Sequence, residues 1–311
     1  MQAEYGAIDG FGDYRSLGQK TLPRRWRLNW MSMLEAVLVP SAIFTVVYWL
    51  LTFSVHAHYT TQTILLCLVC TLVPAAFWHR VWTQQEDKAD LGHREPNWFF
   101  FLAAASSVAW LGGFALGMTN WSSYMHKYYD YSDLAVIRGV NTRTQPGGAI
   151  LDTGVVEFKR TTEVNEDMTM AYKDGDLYCV APIITSLPET VIASEPATYD
   201  YWALGVNCCD PFGRKAFACG VVLEEQVRGG LRLLDRTNVP SYRKAIQMAE
   251  EEYHIKAGKI PLLLYWEGDP EKELERLYMQ GSKSFWQNSL AFLCLVTAAM
   301  LFWSVLAKVQ R

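Results

Sequence analysis

The sequence predicts a membrane protein with four transmembrane α-helices in a 3+1 arrangement and an inserted α+β, mainly antiparallel, disulfide-stabilised extracytosolic domain. Half of the 311 residues are hydrophobic and only 19% are charged. The apolar residues concentrate in four runs of about twenty residues, the length that crosses a bilayer core as a helix. Basic residues flank these runs on one side only, and four of the seven cysteines lie between the third and fourth runs.

The four apolar runs are interpreted as transmembrane helices because they are too long and continuous for buried core helices. The third run, FFFLAAASSVAWLGGFALGM, has neither a charged residue nor a polar face. The runs carry tryptophans near their ends, as expected for rings at the headgroup level. The predicted order is a cytosolic N-terminal tail (1–30), three transmembrane helices with a cytosolic loop at 83–96 (31–118), the extracytosolic domain (119–284), the fourth transmembrane helix (285–307) and a cytosolic C-terminus (308–311).

The distribution of Lys and Arg predicts the orientation. These residues precede the first run, separate the second from the third and follow the fourth, whereas the HAHYTT loop after the first run has none. By the positive-inside rule, both termini face the cytosol and the inserted domain faces the lumen or the exterior. The first thirty residues have no early apolar core, so we expect no cleavable signal peptide. The expected location is an endomembrane, a vesicle or the cell surface, with an organellar membrane as the alternative.

The N-terminal tail contains two Tyr-x-x-hydrophobic tetrapeptides of the kind that vesicle adaptors read in cytosolic tails. Such tetrapeptides also occur by chance, so a sorting role is one of two interpretations. The candidate sorting residues are Tyr5, Ile8, Tyr14 and Leu17.

The cysteines divide by location. Three lie in predicted helices, where a thiol behaves as a small apolar group, and four lie in the inserted domain, where an oxidising compartment permits disulfides. A bridge between neighbours in the chain would close a strained ring. We therefore expect two bridges that join the outer cysteines to the vicinal pair, in an order left open, with a zinc site as the alternative that the lack of CxxC spacing disfavours. The disulfide candidates are Cys179, Cys208, Cys209 and Cys219.

The inserted domain alternates turn formers with short β-branched and aromatic stretches, which predicts strands. GAILDTGVVEF and YDYWALGVNCC are two such stretches, and KDGD predicts a hairpin. A helix is predicted at 240–257, a buried strand follows it, and Asp269-Pro270 opens a charged helix that leads into the fourth apolar run. Residues 119–283 carry 18 Lys plus Arg against 24 Asp plus Glu. The resulting net charge of −6 argues against nucleic acid as a partner.

No set of residues predicts catalysis. Asp152-Thr153-Gly154 matches part of the aspartic-protease signature, but that mechanism needs two carboxylates and no second motif occurs. Histidines are scarce, and the sequence has no P-loop, GxGxxG or HExxH. We expect no catalytic residue, cofactor or metal.

The third apolar run carries a face of small residues at every fourth position. Such faces let helix backbones approach closely inside a bilayer. The face could pack within the bundle or against another protein. Its residues are Ala105, Ala109, Gly113 and Gly117.

The stretch YDYWALGVNCC at 199–209, followed by Phe217 to Gly220, resembles a recurrent feature of uncharacterised multispanning membrane proteins of dinoflagellate algae and related alveolates. The resemblance covers about 145–268. It implies a four-helix topology with this domain outside the cytosol, and it implies no activity.

Three functional hypotheses follow from these features. The first is a non-enzymatic membrane protein of the endomembrane or surface system, whose domain binds a protein partner, or forms a homo-oligomer, to assemble a complex. The second is an accessory subunit of an organellar or channel complex. The third is a thiol-disulfide enzyme that uses Cys208 and Cys209.

Overall fold

A computed structural model describes residues 30–91, 98–186, 198–210, 217–220 and 228–309. Four of the described helices are long and apolar enough to cross a membrane, which confirms the four predicted helical segments. Their orientation stays a prediction. They span Met31–Thr52, Thr60–Thr83, Trp98–Ser132 and Pro270–Leu306.

Within the described ranges, eight α-helices make up these segments and the helical part of the inserted domain. They are α1 (Trp30–Thr52), α2 (Ser54–His58), α3 (Thr60–Cys70), α4 (Leu72–Leu91), α5 (Trp98–Asn120), α6 (His126–Ser132), α7 (Val239–Glu252) and α8 (Pro270–Val309). A π-helical turn, Trp121–Met125, joins α5 to α6 without a break. Helix α7 ends before the predicted residue 257, because His254 adopts a left-handed φ of 56° and a strand begins at Ala257.

The third and fourth apolar helices continue well beyond their apolar runs. No glycine or proline lies between Met118 and Arg138, so the sequence contains no helix breaker there. Helix α8 has 40 residues, and at 1.5 Å per residue it spans about 60 Å, roughly twice the thickness of a bilayer core. Both ends of the inserted domain therefore continue directly into apolar helices. We call α6, its π-helical turn and residues 270–284 of α8 the stalk.

In the part of the domain that the structure describes, eight strands form one sheet in the order β1-β2-β7-β8-β6-β5-β3, with β4 also paired to β5. The sheet is mixed, because β1 pairs with β2 and β6 pairs with β8 in parallel. The other described pairings are antiparallel, in keeping with the predicted α+β class. The strands are β1 (Ala135–Val140), β2 (Thr153–Phe158), β3 (Thr162–Val164), β4 (Met170–Asp174), β5 (Asp176–Thr185), β6 (Tyr199–Val206), β7 (Gly229–Arg232) and β8 (Ala257–Glu267).

Two sequence predictions of local structure are refined by these strands. The KDGD hairpin forms, and Gly175 at its tip has a φ of +73°, which a glycine adopts at little cost. GAILDTGVVEF was predicted as one strand, but Gly147–Ile150 forms a 3-10 turn and β2 begins only at Thr153. Pro146 starts that turn, and Asp152 lies in the bend before β2.

Each face of the sheet has its own core, because successive side chains of a strand point to opposite faces. Along β6, Trp202 and Leu204 pack beneath α7. Tyr201 and Ala203 point to the opposite face, which holds the cysteines. One face is thus covered by a helix and the other by disulfide-linked segments.

Candidate functional site

The four cysteines of the inserted domain form the two bridges expected from the sequence, and the structure assigns the order that the sequence left open. Cys179 bonds to Cys209, and Cys208 bonds to Cys219. The bridges link β5 to the segment after β6, and that segment to the residues around 219. The prediction of two bridges to the vicinal pair is confirmed.

Gly205 explains why this arrangement fits. It lies opposite Cys179 in the β5–β6 pairing. A Cβ atom at this position would lie 2.2 Å from the sulfur atoms of both Cys208 and Cys219. The Cys208–Cys219 bridge therefore occupies the space that a side chain at position 205 would need.

The sulfur atoms are close together and largely buried. Those of Cys179, Cys208 and Cys219 lie within 4.8 Å of one another, a spacing that would suit a metal ion. All of them are held in disulfides, so none is the free thiolate that zinc requires. Cys179 and Cys219 are 0% and 3% exposed, which restricts attack by an external thiol.

The small-residue face of α5 lies against α1. A Cβ on Gly113 would lie 2.8 Å from the backbone oxygen of Phe44, and one on Gly117 would lie 2.9 Å from Cβ of Leu51. Ala109 is fully buried in the same contact region, and Ala105 is partly buried. The candidate sorting residues Tyr5, Ile8, Tyr14 and Leu17 lie outside the described residues.

A groove of about 340 Å³ opens where the stalk meets the edge of the sheet. We call it the junction groove. Helix α6 contributes Tyr128 and Tyr131 to its lining, and α8 contributes Leu274, Glu275 and Tyr278. The sheet side is apolar, with Val136 of β1 beside its pairing partner Val155 of β2. The volume is at the lower end of the range for small-molecule sites.

Close helix packing places the groove at this level of the stalk. Below it, a Cβ on Gly281 would lie 2.7 Å from Cε of Met125, so the two stalk helices touch there. Asn120 links α5 to α8 at the same level of the stalk, because its Nδ2 donates to the Gly281 carbonyl oxygen at 3.0 Å. Above this contact Tyr128 of α6 and Tyr278 of α8 line the groove, together with Val136 and Val155 at the edge of the sheet.

The tyrosines give the groove an aromatic wall. The rings of Tyr128 and Tyr278 have centroids 5.0 Å apart and planes inclined at 43°, so the two rings contact each other across α6 and α8. Tyr131 donates its hydroxyl hydrogen to the Arg232 carbonyl oxygen at 2.6 Å, which fixes its ring beside the sheet.

The charged groups around the groove leave an excess of carboxylates. Arg138 contacts Glu271 in a short ion pair and Glu157 at 3.3 Å. Glu275 lines the groove and has no ion pair within the described part of the chain. Among the described residues, the groove lining thus contains two carboxylates, Glu271 and Glu275, and no Lys or Arg.

A buried histidine lies on the other side of the stalk. His56 of α2 is 6% exposed, and its ring packs edge-on against Trp121 with centroids 4.4 Å apart. Its Nδ1 atom has no hydrogen-bond partner among the described residues. Burial, and then the nearby His126, lower the pKa of His56 below its usual value of 6.5.

The junction groove is not predicted from the sequence. The signal was present on α8, where residues 271, 274, 275 and 278 share one face of the helix. From the sequence alone, that segment predicts only a charged helix leading to the fourth apolar run. Its partners on α6 and on β1 lie far away in the sequence, so the face alone does not reveal a groove.

Comparisons with protein-family models, curated proteins and solved structures found no match to this chain.

Proposed function

We propose that this chain is a non-enzymatic integral membrane protein whose disulfide-linked domain binds a partner, or assembles a complex, on the extracytosolic side of an endomembrane or surface membrane. The observation that carries this proposal is the stalk. Both ends of the domain continue as helix into segments long and apolar enough to cross a bilayer. Such a connection holds a domain at a fixed height and orientation above the membrane, which suits the positioning of a partner.

The burial of the disulfides favours this proposal over a thiol-disulfide enzyme. A redox enzyme presents its reactive sulfur to a substrate in an accessible, electropositive setting. Here Cys208 and Cys209 are partly exposed, but each is bonded to a buried cysteine, Cys219 or Cys179. The chemistry of the cluster therefore fits cross-linking better than exchange.

Labelling from one side of the membrane tests the orientation. A cysteine is placed at exposed Arg160 of the domain or at exposed Thr83 near the end of the second apolar helix, in a background in which the free cysteines Cys67, Cys70 and Cys294 are alanine. In sealed microsomes, a membrane-impermeant maleimide should label Thr83→Cys at once and Arg160→Cys only after permeabilisation. The opposite pattern would place the domain in the cytosol and reject the proposal.

Cross-linking in intact membranes tests assembly. The wild-type chain should give a discrete species larger than the monomer. A Gly-Ser-Gly insertion after Ser132 frees the domain from one stalk helix and should weaken that species. The matched control carries the same insertion at Gly175, at the tip of the β4–β5 hairpin. A chain that stays monomeric before and after cross-linking would argue against assembly.

A further inference from the structure

We infer that the junction groove is a binding site for an organic ammonium ion, with the cationic group over the rings of Tyr128 and Tyr278 and the apolar part against β1 and β2. This inference rests on the proposed function, because it names the class of ligand that the extracytosolic domain would bind. Three features of the groove support it, namely its rings, its charge and its level above the apolar segments.

The ring geometry suits a cation. The faces of aromatic rings attract cations placed within about 6 Å of the centroid. Tyr128 and Tyr278 both line the groove with centroids 5.0 Å apart, so a single cation beside the pair can lie within that distance of both rings. A trimethylammonium or primary ammonium group fits easily within about 340 Å³.

The charge of the groove also favours a cationic ligand. Glu275 lines the groove and has no ion pair in the described ranges, whereas Glu271 is already held by Arg138. The nearby Arg276 is bound to Glu273 on its own helix, so it does not neutralise Glu275. An incoming cation would meet an uncompensated carboxylate beside an aromatic wall.

The apolar lining indicates the chemistry of the rest of the ligand. Leu134, Val136 and Val155 form the sheet side, and Leu274 adds an apolar side chain from α8. Such a surface binds hydrocarbon better than a second charged or strongly hydrated group. The ligand is therefore an ammonium ion with a small hydrocarbon body, rather than an inorganic cation.

The level of the groove above the apolar segments limits the source of the ligand. Tyr278 precedes Trp286 by eight residues and Tyr128 follows Trp121 by seven, which places the rings about 10–12 Å from the tryptophans along their helices. If those tryptophans lie at the headgroup level, the groove lies just outside the headgroups. A soluble ammonium compound and a choline lipid headgroup share this chemistry, and the experiment separates them.

The test uses the full chain in maltoside micelles, which contain no ammonium group, and calorimetric titration with choline. The control ligand is 3,3-dimethylbutan-1-ol, which has the shape of choline without its charge. Choline should bind and the neutral alcohol should not. Equal binding of the two compounds, or no binding of choline at millimolar concentration, would overturn the inference.

Variants locate the site. Glu275→Gln and Tyr278→Leu should each weaken choline binding by about fivefold, whereas Tyr278→Phe keeps the ring and should bind as the wild type does. The control Glu251→Gln removes an exposed carboxylate from α7, far from the groove. Unchanged choline binding by Glu275→Gln would show that the cation does not bind beside Glu275. If a variant fails to fold, the comparison of the two ligands on the wild type still decides the question.

Nanodiscs of phosphatidylcholine and of phosphatidylglycerol distinguish the source. Weaker choline binding in phosphatidylcholine nanodiscs identifies a lipid headgroup as a competitor, and equal binding identifies a soluble ligand. Failure of this inference leaves the proposed function intact, since assembly is measured by cross-linking. Failure of the orientation test rejects the proposed function while leaving the binding data unaffected.

Discussion

The sheet domain and the α1–α5 helix pair both need a glycine for close packing, but a different group fills the space beside the glycine in each. In the sheet, the space beside Gly205 is filled by the Cys208–Cys219 bridge, with sulfur atoms 2.2 Å from where a Cβ would lie. Between the helices, the space beside Gly113 is filled by the backbone of Phe44. The sheet thus combines close packing with covalent bonds, whereas the helices rely on close approach alone. We expect substitutions in the sheet to have the larger effects.

The largest effect is expected from Gly205→Ala. The added methyl group cannot coexist with the Cys208–Cys219 bridge, so the variant should lose that bridge and gain steric strain, at a cost above about 3 kcal/mol. Thiol labelling followed by mass spectrometry should find Cys208 and Cys219 free. The control Gly148→Ala places a methyl group in open space and should keep both bridges. A Gly205→Ala protein with both disulfides intact would contradict this account of the glycine.

The next prediction compares the two bridges with each other. Cys179–Cys209 spans 30 residues and Cys208–Cys219 spans 11. From loop entropy, the longer bridge contributes about 3.6 kcal/mol and the shorter about 2.8 kcal/mol. The double alanine variant of the longer pair should therefore be the less stable by about 1 kcal/mol. Chemical denaturation of the full chain in detergent measures the difference, and the reverse order would show that packing around Cys219 outweighs loop length.

The two bridges show which features can be predicted from the sequence and which cannot. The apolar runs were identifiable because a bilayer demands continuous length, and the cysteine set because an oxidising compartment demands pairing. The order of the bridges depends on Gly205 facing Cys179 across two strands, which is a tertiary contact. The parallel pairing of β1 with β2 and the junction groove also depend on contacts between distant segments. A local sequence pattern covers only one of the two segments that meet in such a contact, so it cannot specify the partner segment.

The helix pair is tested by two adjacent glycines of α5. Gly113→Ala forces a methyl group to 2.8 Å from the Phe44 backbone oxygen, whereas Gly112→Ala meets only the edge of the Phe44 ring at 3.4 Å. Overpacking of the first kind costs about 1–3 kcal/mol. Both substitutions gain the same helix propensity, so the second variant should be as stable as the wild type or more stable. Thermal unfolding in micelles compares them, and equal stability would mean that α1 moves away freely.

The smallest expected effect is a pH dependence located at the stalk. Because burial lowers the pKa of His56 below 6.5, the unfolded chain binds more protons than the folded chain as the pH falls through about 6.5. Stability contributed by neutral His56 is therefore full above that pH and declines below it. Other titratable groups of this region include Tyr129, which stacks on Trp121, and the pairs His126–Asp130 and His58–Asp133.

His56→Gln should flatten the decline in the unfolding midpoint between about pH 7.5 and pH 5.5. The control His254→Gln removes an exposed histidine of the sheet domain and leaves the contact with Trp121 intact. The same slope in wild type and His56→Gln would assign the pH dependence to the carboxylate pairs instead. Because His56 packs on the π-helical turn that joins α5 to α6, a slope that depends on it would mean that acid loosens the stalk first. The disulfide-linked sheet would then remain folded while its support weakens.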